Sequence, residues 1–134
     1  MASSPLRWGR ILLGGFLAEI LLILAIIPVY ATGGSQTVLT TVAVAGSFLA
    51  FVPVAWWLAR TTSSPVLHGA LMGAAGAAIY ILLTVVGRQI DPNAPPAPWI
   101  YYVGHALKLA GGATGGWLAK GRRLRNQDSV VRIP

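Results

Sequence analysis

The sequence has no cysteine. That excludes disulfides, thiolate metal sites and a cysteine nucleophile. Acid is nearly as scarce: three carboxylates stand against ten lysines and arginines, and only Glu19 falls inside an apolar run. There are no paired carboxylates, no Gly-x-Ser-x-Gly and no His-Glu-x-x-His, so no acid–base or nucleophile set is legible. We expect no enzyme, no cofactor and no metal. Charge of either sign makes up 10% of the 134 residues, against about 25% in a soluble domain. So few polar groups cannot cover a globule in water.

What is present is apolar sequence, 55% of the chain. It comes in four runs of roughly 20 residues, each enough to cross a bilayer core. The expected fold is all-α: an integral membrane four-helix bundle, four transmembrane helices with short loops. The expected domains are a four-span membrane domain over 1–119, with spans at about 8–30, 37–58, 65–86 and 99–119, and a basic cytoplasmic tail, polar and mobile, over 120–134. The first run exceeds the 7–15 apolar residues of a signal segment and carries Glu19, so we read it as a retained span. Pro53 is placed to kink the second span. Ser63 or Ser64 before Pro65 reads as the start of the third, and QIDPNAPPAP before the fourth is too proline-rich to be helical.

The net charge of +7 does not point to nucleic acid, because the positive residues cluster beside the spans. Arg7, Arg10, Arg60, Lys120, Arg122, Arg123, Arg125 and Arg132 share one side; the other has only Arg88, offset by Asp91. By the positive-inside rule both termini face the cytoplasm, in a multi-pass protein of a bacterial-type inner membrane. The aromatic belts agree: Trp8, Trp56, Trp57 and Trp117 fall at the inner boundary, Tyr30, Trp99, Tyr101 and Tyr102 at the outer. Lys120, Arg122, Arg123 and Arg125 then sit where anionic lipid headgroups would meet them, at about 1 kcal/mol per residue near the surface.

Two residues contradict their surroundings. Glu19 lies about 11 residues from the inner end of span one, and Lys108 about as far from the inner end of span four, roughly 16 Å deep in both cases. An unpaired charge there costs about 2.5–3.5 kcal/mol on insertion scales. Matching depths predict a Glu19–Lys108 ion pair, provided spans one and four are neighbours. Gly15 would leave room for the lysine stem, and His105, one turn outward, would extend the network. Such a pair can fix helix register with no chemistry attached, or it can mark a polar path for protons or a small solute. His68 lies near the inner boundary, roughly 14 Å in depth from His105, and reads as an interfacial polar residue. Tyr80 and Thr84, one turn apart on span three, can line the same interior as Gly76, but ordinary packing is the simpler reading.

Glycine is abundant and patterned. Gly69, Gly73 and Gly76 on span three, and Gly104, Gly111, Gly112, Gly115 and Gly116 on span four, fit small-xxx-small spacing, which lets helices approach closely. From this we expect a small non-enzymatic membrane protein that associates through its glycine faces, as a homo-oligomer or as an accessory subunit of a larger membrane complex. The alternative is a small proton-linked transporter or channel using Glu19.

Four spans in a short chain, with a membrane-embedded glutamate in FLAEILLIL, resemble the small multidrug-resistance transporters. The resemblance implies that Glu19 exchanges protons and cations. Two features depart from that family: Lys108 can neutralise the glutamate, and the one-sided charge opposes the antiparallel, dual-topology dimers typical there. The chain also looks like other small bacterial four-helix membrane proteins.

Overall fold

The computed structural model describes residues 6–93 and 98–131, with side chains through 122. Among these residues it is entirely helical: α1 Trp8–Ala31, α2 Gln36–Leu49, α3 Phe51–Ala59, α4 Pro65–Ile90 and α5 Ile100–Val131. The segments α2 and α3 are one bent helix. Ala50 between them keeps right-handed helical angles, φ −70° and ψ −34°. The interruption follows from Pro53, which has no N–H to give the carbonyl of Leu49 four residues earlier. Pro28 lies inside α1 without ending it.

Local chemistry sets the ends. After α1 the chain reverses through Gly33, whose φ is +71°, a region an L side chain rarely enters. The Gly34 N–H donates to the Val29 carbonyl at 2.9 Å and the Gly33 N–H to the Tyr30 carbonyl at 3.1 Å. This is the Schellman arrangement, which satisfies two carbonyls that the helix end leaves open. Ser35 caps α2, its hydroxyl accepting the Val38 N–H at 3.4 Å. Pro65 occupies the first turn of α4, where its missing N–H costs nothing and its fixed φ suits a helix.

Among the described residues three helices are long and apolar enough to cross a membrane: Trp8–Ala31, the bent Gln36–Ala59 and Pro65–Ile90. The fourth expected span, on α5, is not among them. Helix α5 has 32 residues, about 48 Å at 1.5 Å per residue. Its first half dilutes apolar residues with Lys108, His105 and glycine. The helix also continues past Ala119, through the expected tail as far as Val131. Residues 132–134 of that tail lie outside the described residues.

The bundle is inside-out relative to a water-soluble one. Leu12, Leu13, Phe16, Leu24, Leu82 and Leu83 are exposed, whereas Glu19, Ser47, Thr62, His68 and Lys108 are buried. A soluble protein buries the first group and solvates the second, so this shell suits lipid and the three apolar helices suit a small membrane protein. The helices alternate in direction. One end gathers the start of α1, the end of α3 and the start of α4. There the Arg10 guanidinium donates to the Thr61 hydroxyl and lies 3.5 Å from the Leu58 carbonyl, so a cation closes the open carbonyl end of α3. At the same end, the Arg7 backbone N–H donates to His68 Nε2 at 3.2 Å, and His68 Nδ1 meets the Ser64 carbonyl at 3.0 Å. With Nε2 accepting and Nδ1 donating, the ring fills both roles of one neutral tautomer. His68 is 1% exposed. It is thus a buried latch between α1 and α4, which corrects the expectation of an interfacial residue.

Candidate functional site

The repeated glycines decide how the helices meet. In GGATGG of α5 each doublet gives one glycine to each neighbour. Gly112 meets the backbone of Gly69, and Gly116 that of Pro65, both on α4. Gly111 meets Phe48 of α2, and Gly115 meets Val52 and Trp56 of α3; a Cβ on Gly115 would stand 2.8 Å from the Trp56 nitrogen. Adjacent helix positions differ by about 100°, so a doublet repeated every four residues serves two partners at once. On α4, Gly73 receives the backbone of Lys108 and Leu109, with a Cβ there only 2.6 Å from the Leu109 Cα. A Cβ on Gly104, nearer the start of α5, would lie 3.3 Å from the Ser47 hydroxyl oxygen. These close crossings put α5 between α4 on one side and the bent α2–α3 helix on the other.

At mid-height the Lys108 ammonium donates to Glu19 Oε1. The two side chains are 2% and 6% exposed. Helices α1 and α5, however, do not pack against each other among the described residues. The pair forms although the condition set for it, that the two helices be neighbours, is not met; they stand diagonally across the bundle. The length of the lysine side chain, about four methylenes, spans that diagonal. The room expected from Gly15 also comes from elsewhere. Gly15 admits the α4 backbone, a Cβ there lying 2.8 Å from the Gly76 nitrogen. The space under the carboxylate belongs to Gly76 itself. A Cβ on Gly76 would lie 2.9 Å from Glu19 Oε1 and strike the Phe51 ring.

The rings complete the enclosure. The Lys108 ammonium lies 4.9 Å from the Tyr80 ring centre and 6.0 Å from that of Phe51, within the reach of cation–π attraction. Phe51 is also the centre of the small apolar core, with Ala18 and Val54. Four helices therefore contribute: α1 the carboxylate, α3 a ring, α4 a ring and a gap, α5 the ammonium. Sequence reasoning does not single out Phe51, and it reads Tyr80 as ordinary packing. A signal for Tyr80 exists in its spacing, one helical turn from Gly76.

His105 does not hydrogen-bond to the pair. Its ring rests on Tyr80, centroids 4.9 Å apart and tilted 58°, and Tyr80 stacks on Tyr101 at 6.1 Å. His105 Nδ1 is buried without a hydrogen-bond partner among the described residues. The network thus runs from carboxylate to ammonium to Tyr80 to His105, through ring faces. A crevice of about 290 Å³ reaches the site from the end opposite the basic one, lined by Tyr80, Thr84, Arg88, Tyr101, Tyr102 and His105. Thr84 turns its hydroxyl back to the Tyr80 carbonyl at 3.0 Å.

Of the four residues expected at lipid headgroups, Lys120 and Arg122 are exposed at the basic end; the side chains of Arg123 and Arg125 lie outside the described residues. No group of three or more His, Asp or Glu side chains able to hold a metal ion occurs among the described residues. The chain matches no family model, no curated protein and no solved structure.

Proposed function

We propose that the chain is a four-span, non-enzymatic protein of a bacterial inner membrane, with both termini cytoplasmic, that works by association, with itself or as an accessory subunit of a membrane complex. The observation that carries the reading is the sealing of Glu19 and Lys108, 6% and 2% exposed. A group that moves ions must meet them. This pair meets only its own rings and backbones, so its use is to fix which helix faces which and at what height, the specifying role buried polar contacts play in lipid. In this reading α5 is the fourth span. Its polar residues are turned inward onto the pair and its glycines onto neighbouring backbones, so low hydropathy does not keep it out of the bilayer. The orientation rests on the gathering of Arg7, Arg10, Arg60, Lys120 and Arg122 at one end.

The glycine faces, expected as the contact surface, are filled by the chain's own helices, which favours another surface for association. The surface that supports association is a groove of about 590 Å³ between α2 and the start of α5, where Thr37, Thr40, Thr41 and Ala45 meet Trp99. Small and hydroxyl residues are what a transmembrane helix packs against, and a helix of a second copy fits there.

The transporter reading is favoured by one observation, the crevice that brings Tyr80 and His105 within reach of the outer end. The two readings part in one preparation. Mass measurement in mild detergent is expected to give an oligomer or a stoichiometric partner. A bare monomer whose reconstituted vesicles show proton-coupled flux, abolished by Glu19→Gln, overturns the associative reading in favour of transport. A reporter fused after Pro134 and active only outside overturns the orientation.

A further inference from the structure

Trp56 near the end of α3 draws two cations. The Arg60 guanidinium carbon lies 5.9 Å from its ring centre and that of Arg122, from α5, lies 5.5 Å away. Two like charges gathered on one ring repel each other unless an anion answers them. No carboxylate whose side chain is described does. Glu19 is held by Lys108, and Asp91 follows α4 at the opposite end. A guanidinium drawn to an indole by cation–π attraction still has N–H groups to offer, and these take a phosphate in bidentate fashion.

Beside this cluster runs a groove of about 790 Å³ between α3 and α5. Pro53, Trp117 and Leu118 give it apolar lining, and Lys120 and Arg122 stand in the same wall as Trp56. Apolar surface at one level, indole rings and fixed cations at the next, repeat the order of acyl chain, interface and headgroup in one leaflet.

We propose that this groove is a binding site for one anionic phospholipid, its phosphate held by Arg60, Arg122 and Lys120 and an acyl chain laid against Pro53, Trp117 and Leu118. The site rests on the reading that the chain spans a bilayer with this end at headgroup level. It differs from general attraction to a basic tail, because two of its three cations lie against one ring, Arg60 from the end of α3 and Arg122 from α5.

The test is quenching of tryptophan fluorescence in vesicles of phosphatidylcholine mixed with phosphatidylglycerol, with bromine on the acyl chains of one lipid or the other. Brominated phosphatidylglycerol is expected to quench at a mole fraction about tenfold lower than brominated phosphatidylcholine. The Trp56→Phe variant should lose much of that excess. Arg60→Gln with Arg122→Gln should abolish the preference, while Arg7→Gln, which removes a charge at the same end outside the groove, should leave it intact. Equal quenching by both lipids overturns the lipid site and leaves the membrane reading standing; no quenching by either overturns both. An equal loss in Arg7→Gln reduces the preference to overall charge and overturns the site. Quenching that fades as protein is crowded at constant lipid composition assigns the groove to a second copy and likewise overturns the lipid site.

Discussion

At mid-height the bundle holds Glu19 and Lys108 almost wholly out of reach of solvent; at its basic end it holds Arg60 and Arg122 on an exposed rim. Both regions set cations against aromatic faces, Lys108 on Tyr80 and Phe51, the two arginines on Trp56. Among the side chains described, only the interior supplies a counter-charge. The difference teaches where specification lies. Removing one partner of the buried pair strands the other in a medium that cannot solvate it. Removing a rim arginine returns a side chain to water or headgroups. The interior fixes the fold, and the rim is free to answer the surroundings.

The largest effect is therefore expected at the pair. Glu19→Ala should lower stability in mixed detergent micelles by about 3 kcal/mol, through the uncompensated Lys108. Exchanging the charges, Glu19→Lys with Lys108→Glu, should recover most of it, because the same total side-chain length still spans the diagonal between α1 and α5. An exchange as disruptive as Glu19→Ala denies the direct pair. Replacing both by apolar residues, Glu19→Leu with Lys108→Met, should be close to neutral for stability. If that double variant folds but no longer gives the native oligomer or complex, the pair specifies arrangement rather than strength.

Next comes the packing that lets the pair form. Gly112 touches the Gly69 backbone on α4 with no room for a side chain. Gly112→Leu should cost about 2–3 kcal/mol as over-packing, read in the same unfolding titration. Gly87 on α4 has open space around it, so Gly87→Ala should be neutral or slightly stabilising. If the two glycines behave alike, the close crossing of α4 and α5 is wrong. Smaller again is the ring: Tyr80→Leu should lose about 1 kcal/mol by removing the cation–π face, and Tyr80→Phe should keep it.

The depth arithmetic that pairs Glu19 with Lys108 works because helical rise is fixed and two stranded charges in lipid have few other solutions. Lateral order is less legible. Depth says nothing of which helices are neighbours, so it can only make the adjacency of α1 and α5 a condition, which the diagonal arrangement dispenses with, and it credits Gly15 with space that belongs to Gly76. Small-xxx-small spacing is readable, but a stripe does not state whether its partner is in the same chain; here the doublets of α5 serve α4 and α2–α3 together. Phe51 leaves no signal, since an aromatic in an apolar run looks like any other lipid-facing residue. The depth of His68 suggests an interface, while its two hydrogen bonds, to Arg7 and Ser64, depend on the approach of α1 and α4. The exit of α5 to Val131 is hidden by composition: a basic run reads as a tail whether or not its backbone is helical.

The smallest stability change should fall at the rim, and there the two regions separate most clearly. Arg60→Gln removes one exposed cation–π contact, worth about 0.5–1 kcal/mol at most at such a site, and leaves no buried group unpaired. Unfolding should shift by no more than about a few tenths of a kcal/mol in uncharged detergent. Salt sharpens the contrast. Raising ionic strength from about 0.01 M to 1 M shortens the screening length from about 30 Å to 3 Å. That should weaken whatever Arg60 and Arg122 hold from outside while leaving the Glu19–Lys108 pair nearly untouched, since no electrolyte reaches it. In wild-type protein, retention of phosphatidylglycerol should fall with salt while the unfolding midpoint in uncharged detergent stays put. A midpoint that drops in parallel with lipid loss would mean that the rim, too, helps hold the helices together, and the division between a specifying interior and a responsive surface would fail.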